Sequence, residues 1–455
     1  MTGQLQQDVI NLDTLLNANE QKLTTLLASK QHLSICHHDD IYSYVIINKP
    51  EDFSLHIKAM TLHESKQRQS KALVIEPYNI RAIVNIEINV NIEIENWLNN
   101  CSGTIFLRKV HLNRYENNQY LYFTNCHFRE WVSFGNSQVK QPQRLHLESC
   151  TFQNLLNIVS TFEFIDISRT VIKGQGLMLQ NITGGQLAIR DSDITINIQN
   201  SELKKFIISK CKIENLFVFR TFIDRAFDIS HATLKKNGYL KIDELLHSGS
   251  GRIDFEDIKG RVQLSEVNLS NTTVNIATMT ERNYEPFYVK QGNSVDYSST
   301  LMNFNILHTW AKNCEEKKYS LDIEFIIGKL SRQRAQNEND KKSGVAKWFN
   351  KLIRYPLHWV IYEKALGYFC KWQNILFTIL STITIFAVIY LFSFKDTTPV
   401  KSLYFSLITF TTVGYGDISP EKDNSLLMLT AGIEGLLGVI LISFLTVTIV
   451  RRYVK

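Results

Sequence analysis

The stretch Thr411-Thr412-Val413-Gly414-Tyr415-Gly416-Asp417 lies near the end of the 455-residue chain and decides how the sequence around it folds. Two apolar stretches flank it, residues 372–394 without any charge and residues 425–450 with the single charge of Glu434. Each is long enough to cross the hydrocarbon core of a bilayer as a helix. The run Val400–Phe410, just before the stretch, is too short to cross. The pattern therefore predicts two membrane spans with a re-entrant segment between them.

The residue types of the stretch suit the binding of a dehydrated cation. Gly414 and Gly416 can adopt backbone conformations closed to residues with a Cβ, so consecutive carbonyl groups can face one side. Thr412 can add a hydroxyl oxygen at one end, while Val413 and Tyr415 can pack outwards. Four copies around an axis could direct rings of carbonyl oxygens inwards and replace the water shell of a potassium ion.

In this setting the stretch resembles the selectivity filter of bacterial potassium channels with two transmembrane spans and one pore loop per subunit. The resemblance implies a filter at Thr412, Val413, Gly414, Tyr415 and Gly416. It implies K⁺ as permeant ion at the filter carbonyls, with no other metal and no cofactor. Because one pore loop per chain cannot enclose an axis, it also implies a homotetramer.

The remaining parts of the pore module, residues 372–455, follow from the same resemblance. It implies a first span at about 372–394, a pore helix at about 399–411 and a second span at about 425–450. Many potassium channels carry a carboxylate behind the filter, at the position that Ile408 occupies here. Candidate supporting and hinge residues complete the pore module: Thr411, Asp417 and Glu434 as filter support, and Gly438 or its rival Gly435 as hinge of the inner helix.

Basic residues give the two spans a predicted orientation. They precede the first span and follow the second, on the side of the large N-terminal part of the chain, and cytoplasmic segments carry such an excess. The sequence thus predicts a multi-pass protein of the cell (inner) membrane with both termini cytoplasmic. The residues concerned are Lys351, Arg354, Lys364, Lys371, Arg451, Arg452 and Lys455.

Residues 43–280 carry a different pattern, with apolar pairs two apart that recur every five residues. The run is unbroken from Ile196 to Ile223, and the figure also occurs between residues 145 and 194, between 227 and 269, and upstream between 55 and 80. In each pair a small first residue, such as Ser201 or Cys211, often precedes a large one.

These five-residue steps resemble pentapeptide-repeat proteins, in which four steps make one turn of a square coil. The resemblance implies a right-handed β-helix, a solenoid of parallel β character, with small residues near its corners. An irregular β-helix is the alternative. Either solenoid is a scaffold, and no paired carboxylates, Ser/His set or phosphate-binding loop indicates an enzyme.

Two helical regions border the solenoid in the predicted domain order. In residues 1–42 leucines at alternating steps of four and three predict a helix over residues 5–33, either a coiled coil between subunits or a cap on the open end of the solenoid. Residues 281–371 begin with a loop to residue 300 and continue as a helical connector, with a break near Lys317–Ser320 and a linker at Asn337–Gly344. The aromatic and basic residues 347–369 predict an interfacial helix on the cytoplasmic leaflet.

Composition and local motifs argue against several other kinds of function. A charged fraction of 21% and a mild net charge of +6 do not indicate a nucleic-acid surface. Scattered cysteines without a CxxC pair favour reduced thiols in the cytosol. The run Cys36-His37-His38-Asp39-Asp40 contains residue types that bind metal ions. Adjacent side chains point in different directions, however, and the sequence has no second cluster of ligands, so the run does not predict a metal site. No signal peptide is predicted.

The sequence therefore predicts a potassium channel whose cytosolic solenoid regulates gating or binds a partner of unknown kind. The alternative is a membrane-tethered β-helical scaffold whose pore module does not conduct or has a regulatory role.

Overall fold

The computed structural model of the protein describes residues 9–28, 30–37, 40–49, 51–52, 81–90, 100–112, 120–135, 143–159, 161–267, 272–276, 284–291, 294–313, 317–340, 348–394, 397–420 and 424–453. The chain divides into two compact units, residues 1–292 and residues 293–455. The first unit contains the predicted solenoid together with the N-terminal segment. The second contains most of the predicted connector and the whole predicted pore module.

The first unit is built mainly of strands, most of them short, with two long continuous strands near its end. Its strands are β1 Val9–Asn11, β2 His32–His37, β3 Asp40–Ile47, β4 Arg81–Val84, β5 Ile88–Val90, β6 Asn100–Ser102, β7 Ile105–Phe106, β8 Val110–Leu112, β9 Tyr120–Thr124, β10 His127–Phe128, β11 Val132–Phe134, β12 Gln143–Glu148, β13 Thr151–Phe152, β14 Leu156–Ile158, β15 Phe162–Ser168, β16 Val171–Gln180, β17 Thr183–Arg190, β18 Asp193–Ser209, β19 Lys212–His247, β20 Ser250–Ile258, β21 Arg261–Ser265, β22 Thr272–Ile276 and β23 Lys290–Gln291. A 3₁₀ turn, Glu285–Phe287, follows the last long strand.

From β3 to β22 the strands pair in parallel from one coil to the next and form a β-solenoid of about nine turns, whereas β2 pairs with β3 in antiparallel fashion and β23 lies outside this sheet. Leu145 of β12 lies beside Leu121 of β9 and beside Ile165 of β15, which are 24 residues earlier and 20 residues later. Each coil therefore uses about twenty residues, as the five-residue pattern predicts, and the solenoid fold is confirmed.

The interior of the solenoid is filled by the apolar pairs that the sequence singles out. From residue 145 to Leu264 every member of the predicted pairs is buried, including all twelve residues of the run from Ile196 to Ile223. The pairs predicted between residues 55 and 80, and Leu269, lie outside the described residues.

A column of small buried residues runs along one corner of the coils. The amide of the residue after each small residue donates to the carbonyl of the small residue one coil earlier, at 2.8–3.1 Å. Burial raises the pKa of the Cys126 thiol, and that of Cys211 to about 11, so these thiols stay protonated. The column consists of Thr104, Cys126, Cys150, Thr170, Ser192, Cys211 and Ala232.

The residue before each small residue of the column, from Cys126 onward, has a left-handed backbone. Here φ lies between 49° and 54°, a region that most residues with a side chain avoid. Turning the chain at this point directs the next side chain into the narrow corner, where only a small group fits. A second series of left-handed residues turns the coils elsewhere. The two series are Asn125, Ser149, Arg169, Asp191, Lys210 and His231, and Asn181, Asn200, Arg220, Glu244 and Glu266.

The single helix predicted over residues 5–33 is wrong within the described residues. The chain instead forms strand β1, helix α1 (Leu12–Leu16), helix α2 (Glu20–Leu27) and strand β2. The side chains of Asn11 and Asn19 accept hydrogen bonds from Asp13 and Lys22 amides and start two separate helices.

The leucines of this segment pack on the first coils of the solenoid. Leu15 and Leu23 share an apolar cluster with Ile83 and Ile105, residues of the solenoid interior. Glu20 accepts hydrogen bonds from Arg108 and Arg129, which lower the pKa of its carboxyl group. The segment thus covers apolar side chains at one end of the stack, which is the arrangement of a cap.

The second unit is helical. It contains β24 Ser294–Val295, α3 Tyr297–Asn313, α4 Lys317–Asp340, a π-helical turn Asn350–Arg354, α5 Tyr355–His358, a second π-helical turn Trp359–Ala365, a 3₁₀ turn Gly367–Phe369, α6 Trp372–Ser393, α7 Pro399–Phe410 and α8 Ser425–Tyr453. Helix α3 starts inside the predicted loop 281–300, because Asp296 caps it through Ser298 and Ser299. Helix α4 likewise continues through residues 337–340 of the predicted linker.

Helices α6 and α8 are the two helices of the described chain that are long and apolar enough to cross a membrane. The short helix α7 lies between them in the sequence and packs against both. Its start is defined by Thr398, whose hydroxyl accepts from the amide of Lys401, and by Pro399 in the first turn.

Candidate functional site

The TTVGYGD stretch continues directly from the C-terminal end of α7. The amide of Thr412 donates to the carbonyl of Thr409, and the amide of Val413 donates to that of Ile408, both at 3.0 Å. These bonds close the last helical turn and set the position from which the stretch begins. The negative end of the α7 dipole lies here and favours a cation close by.

Every second residue of the stretch has a left-handed backbone. The φ angles are 57° at Thr412, 51° at Gly414 and 79° at Gly416. Glycine adopts this conformation readily, whereas at Thr412 it costs conformational strain, which proteins tend to retain at functional sites. Val413 and Tyr415 are 53% and 73% exposed in a single chain, so each is left largely uncovered by its own chain.

Asp417, at the end of the stretch, has a partner on α7. The hydroxyl of Tyr404 donates to its Oδ2 at 2.9 Å. A carboxylate at position 408 is absent from the sequence, and Ile408 is buried in an apolar cluster with Tyr390 and Phe405. The bond from Tyr404 therefore ties the far end of the stretch back to the helix that precedes it.

Glu434 lies fully buried behind α7 and joins three helices. Its Oε2 accepts a hydrogen bond of 2.7 Å from the hydroxyl of Tyr390 on α6, and its Oε1 accepts one from Ser406 on α7. Ser406 also donates to the carbonyl of Ile383 on α6 at 2.9 Å. Both carboxyl oxygens are thus satisfied at a fully buried position, where an unpartnered carboxyl group would be costly.

The two candidate hinge glycines lie on the same helix, α8, in different surroundings. A Cβ on Gly438 would overlap the carbonyl oxygen of Phe410, the last residue of α7. A Cβ on Gly435 would lie 3.6 Å from the carbonyl oxygen of Thr409, an ordinary contact. Gly438 therefore permits close packing of α8 on the start of the TTVGYGD stretch. Its role as a hinge stays a prediction.

Helix α4 contacts the segment that leads into α6 and the C-terminal end of α8. Arg332 donates to Oε2 of Glu363 at 2.9 and 3.1 Å, with about a tenth of each side chain exposed. Glu324 pairs with Arg451 at the end of α8 at 2.9 Å. A Cβ on Gly328, between these pairs, would lie 2.8 Å from the Tyr368 ring. One helix thus holds the entry to α6 and the end of α8.

No group of three or more His, Cys, Asp or Glu side chains in the described part of the chain is arranged to hold a metal ion. Cys36 and His37 lie in β2, whereas His38 and Asp39 fall outside the described residues. The carbonyl groups of the TTVGYGD stretch remain the candidate cation ligands.

The C-terminal part of the chain resembles a known family. Residues 377–455 match the family model described as Ion channel. The matched range includes most of α6, all of α7 and α8, and the TTVGYGD stretch. No curated protein and no solved structure matched the chain. The second unit therefore contains an ion channel domain, and its two apolar helices indicate a membrane protein.

Sequence reasoning assigned Glu434 to this region but missed its partners. Its partners Tyr390 and Ser406 are uncharged residues on helices, as is Tyr404, the partner of Asp417. Nothing in their local pattern distinguishes them from packing residues. Glu434 itself was the signal, since a lone carboxyl group in an apolar span requires partners on facing helices. The order of these helices around Glu434 emerges only from the fold.

Proposed function

We propose that the protein is a potassium-selective channel. The observation that carries the proposal is the uninterrupted Thr412–Gly416 segment, with its alternating left-handed backbone, at the C-terminal end of a short helix between two membrane-capable helices. Potassium selectivity follows from rings of carbonyl oxygens that replace the hydration shell of the ion.

The channel is proposed to be a homotetramer. One chain presents Val413 and Tyr415 uncovered, and much of α6 and α8 is exposed as well. A ring of four chains covers these side chains and places the Thr412–Gly416 segments around a common axis. Lipid covers the remaining apolar surface of the spans.

The excess of basic residues at the ends of the spans orients the channel in the cell inner membrane, with both termini and the solenoid in the cytosol. The solenoid resembles pentapeptide-repeat proteins, and we propose that it binds a cytosolic ligand or protein and regulates gating. Helix α4 supports this role because its ion pairs reach the start of the first span and the end of the second. A displacement of α4 would therefore act on both spans.

Ion flux into liposomes tests conduction and selectivity. Purified full-length protein should pass K⁺ far better than Na⁺, and it should cross-link as a tetramer. Equal K⁺ and Na⁺ flux through the intact protein contradicts the proposal.

A deletion separates regulation from conduction. Removing residues 1–292 retains the second unit with α4 in place, so the shortened protein should conduct with a changed open probability. If its open probability equals that of the full chain under every condition tested, the solenoid serves assembly or targeting instead.

A further inference from the structure

The short turn Gly367–Phe369, which leads into α6, is wound in the left-handed sense. Its three residues have φ angles of 54°, 51° and 57°, whereas elsewhere in the described chain left-handed residues occur only singly. The amide of Phe369 closes the turn by donating to the carbonyl of Leu366 at 2.9 Å. Glycine adopts this backbone readily, but an aromatic residue does so at a conformational cost. Glycines at positions 368 and 369 would make the same turn at less cost, so the contacts of the two rings must offset the strain.

The ring of Tyr368 lies in a notch on α4, at Gly328. A Cβ built on Gly328 would lie only 2.8 Å from this ring, so the ring occupies the place that a side chain at position 328 would take. The ring of Phe325, nearly one turn earlier on α4, meets it edge to face with centroids 5.7 Å apart. The ammonium group of Lys371, the residue before α6, lies 3.8 Å from the centre of the Phe325 ring. The face of α4 that holds Tyr368 is thus also tied to the start of α6.

The ring of Phe369 points to a different helix, α8. It packs edge to face on Phe444, with ring centroids 5.0 Å apart at an angle of 82°. Both rings border the apolar cluster that contains Phe410, the last residue of α7, and Leu441 of α8. The carbonyl of Phe369 also accepts a hydrogen bond of 3.5 Å from Arg451, near the end of α8. Two consecutive residues of one turn therefore contact α4 and α8.

The chain before the turn is fixed on α6. Asn374 of α6 donates to the carbonyls of Glu363 and Lys364 at 3.1 and 3.0 Å. One turn further along the same helix, Thr378 donates to the carbonyl of Ala365 at 3.0 Å. Because these bonds hold both sides of the turn on one helix, a change in the backbone of the turn moves the two rings and leaves its ends in place.

We propose that Tyr368 and Phe369 are positioning residues that couple α4 to α8. While the Tyr368 ring is seated in the notch, the left-handed turn directs Phe369 onto Phe444 and holds the C-terminal half of α8 in place. When α4 moves away, the Tyr368 ring leaves the notch, the turn relaxes towards ordinary backbone angles, and the contact with Phe444 is lost. The inference rests on the proposed function, and it names the contacts by which a displacement of the connector reaches the second span.

Distances between the ends of α8 in neighbouring chains test the coupling. A spin-labelled amino acid replaces Tyr453, the last residue of α8, which is 65% exposed. Electron–electron double resonance then gives the label-to-label distances in the full-length protein in liposomes, and K⁺ flux is measured on the same preparation. Gly328→Ala fills the notch and displaces the Tyr368 ring. We therefore expect a shifted distance distribution and a change of about fivefold or more in the rate of K⁺ flux.

A second variant releases the ring by another route. Tyr368→Gly deletes the ring and suits the left-handed backbone, so it should produce the same shift. Combining Gly328→Ala with it should add nothing further, because the notch is then already empty. Ser331→Ala, at an exposed position nearly one turn further along α4, is the matched control and should change neither distances nor flux. Tyr368→Gly keeps the test decisive if Gly328→Ala prevents folding.

The opposite results would contradict the coupling. Unchanged distances and flux in folded Tyr368→Gly would show that the ring does not position α8, and the inference is then wrong. Additive shifts in the double variant also overturn it, since the two changes would then act at separate places. Absence of any label-to-label distance in the labelled protein without these substitutions means that the chains do not assemble around an axis. The proposed function then fails, and the inference fails with it.

Discussion

The hydroxyl group of Tyr390 donates a 2.7 Å hydrogen bond to Oε2 of Glu434, and both residues are completely buried. The two residues lie on different spans, and Ser406 of the short helix binds the other carboxyl oxygen. A single buried side chain therefore connects all three helices of the ion channel domain.

Removing the carboxyl group should uncouple these helices. Glu434→Leu leaves the buried Tyr390 hydroxyl without an acceptor, at about 1–3 kcal/mol, while Ser406 keeps only the carbonyl of Ile383. The variant should therefore reduce the stability of the proposed tetramer or of its conducting state. Glu434→Gln keeps one acceptor and should preserve assembly while altering gating. Thermal dissociation of the tetramer and single-channel recording measure the two effects. Unchanged currents and stability in Glu434→Leu would show that the contact has no role.

Gly414→Ala should abolish selective potassium flux. Its φ of 51° strains any residue with a Cβ, so the backbone of the stretch must rearrange. Gly184→Ala, in the solenoid, is the matched control because φ there is 80° and a Cβ meets no neighbour within 4 Å. The control should lose about 1 kcal/mol of stability and keep the K⁺/Na⁺ flux ratio. Selective flux through Gly414→Ala would contradict the assignment of the filter.

Gly438→Ala should destabilise the ion channel domain, because its Cβ would overlap the carbonyl of Phe410 and force α8 away from α7. Gly432→Ala lies on the same helix with no neighbour within 4 Å and should gain up to about 1 kcal/mol of helix propensity. Melting temperatures of the two detergent-solubilised variants should move in opposite directions. Equal melting temperatures would show that close packing of α8 on α7 does not require glycine at position 438.

The Arg332–Glu363 pair should carry far more stability than a surface pair. Arg332→Ala leaves a buried carboxylate unpaired and should cost about 3–5 kcal/mol, and the swap Arg332→Glu with Glu363→Arg should recover part of it. Arg334→Ala breaks the exposed Arg334–Glu338 pair on the same helix and should cost at most about 0.5 kcal/mol. Denaturant unfolding of the full chain compares them. Similar losses in both variants would show that the first pair is hydrated.

His308 should make the connector less stable in acid. Burial and the nearby Lys312 lower the pKa of this imidazole in the folded chain. Its contribution is therefore fully present above the unfolded pKa of about 6.5 and is lost as the pH falls below it. Replacement by glutamine should flatten the stability of the full chain between neutral pH and pH 5, measured by unfolding. An unchanged slope would assign the acid sensitivity to another group.

The solenoid was predictable because its interior positions repeat in the sequence, so pairs such as Leu145/Leu147 mark the buried face wherever the step of five holds. The corners were not. Arg169 and Lys210 adopt left-handed conformations that long basic residues seldom favour. Their amides donate to the carbonyls of Arg190 and Ser230 on the next coil, and these bonds help to offset the strain.

The N-terminal segment shows the opposite limit. The leucine spacing fits one continuous helical stripe: Leu12, Leu16, Leu23 and Leu26. Asn11 and Asn19 are nevertheless the N-caps of two separate helices. The prediction of one helix gave the leucine spacing more weight than these two capping residues. In the ion channel domain, the predicted spans at 372–394 and 425–450 correspond to Trp372–Ser393 and Ser425–Tyr453. The contacts of Glu434 with Tyr390 and Ser406 depend instead on the register between helices, which no local pattern encodes.

Because of the column of small residues from Thr104 to Ala232, the length of the solenoid can change only by complete coils. Each member repeats the same environment as the one before it, so removing or adding one complete coil restores every backbone bond between neighbours. Each such step changes the height of the stack by about 4.8 Å, the spacing of paired strands. The solenoid can thus lengthen or shorten by the addition or removal of complete coils.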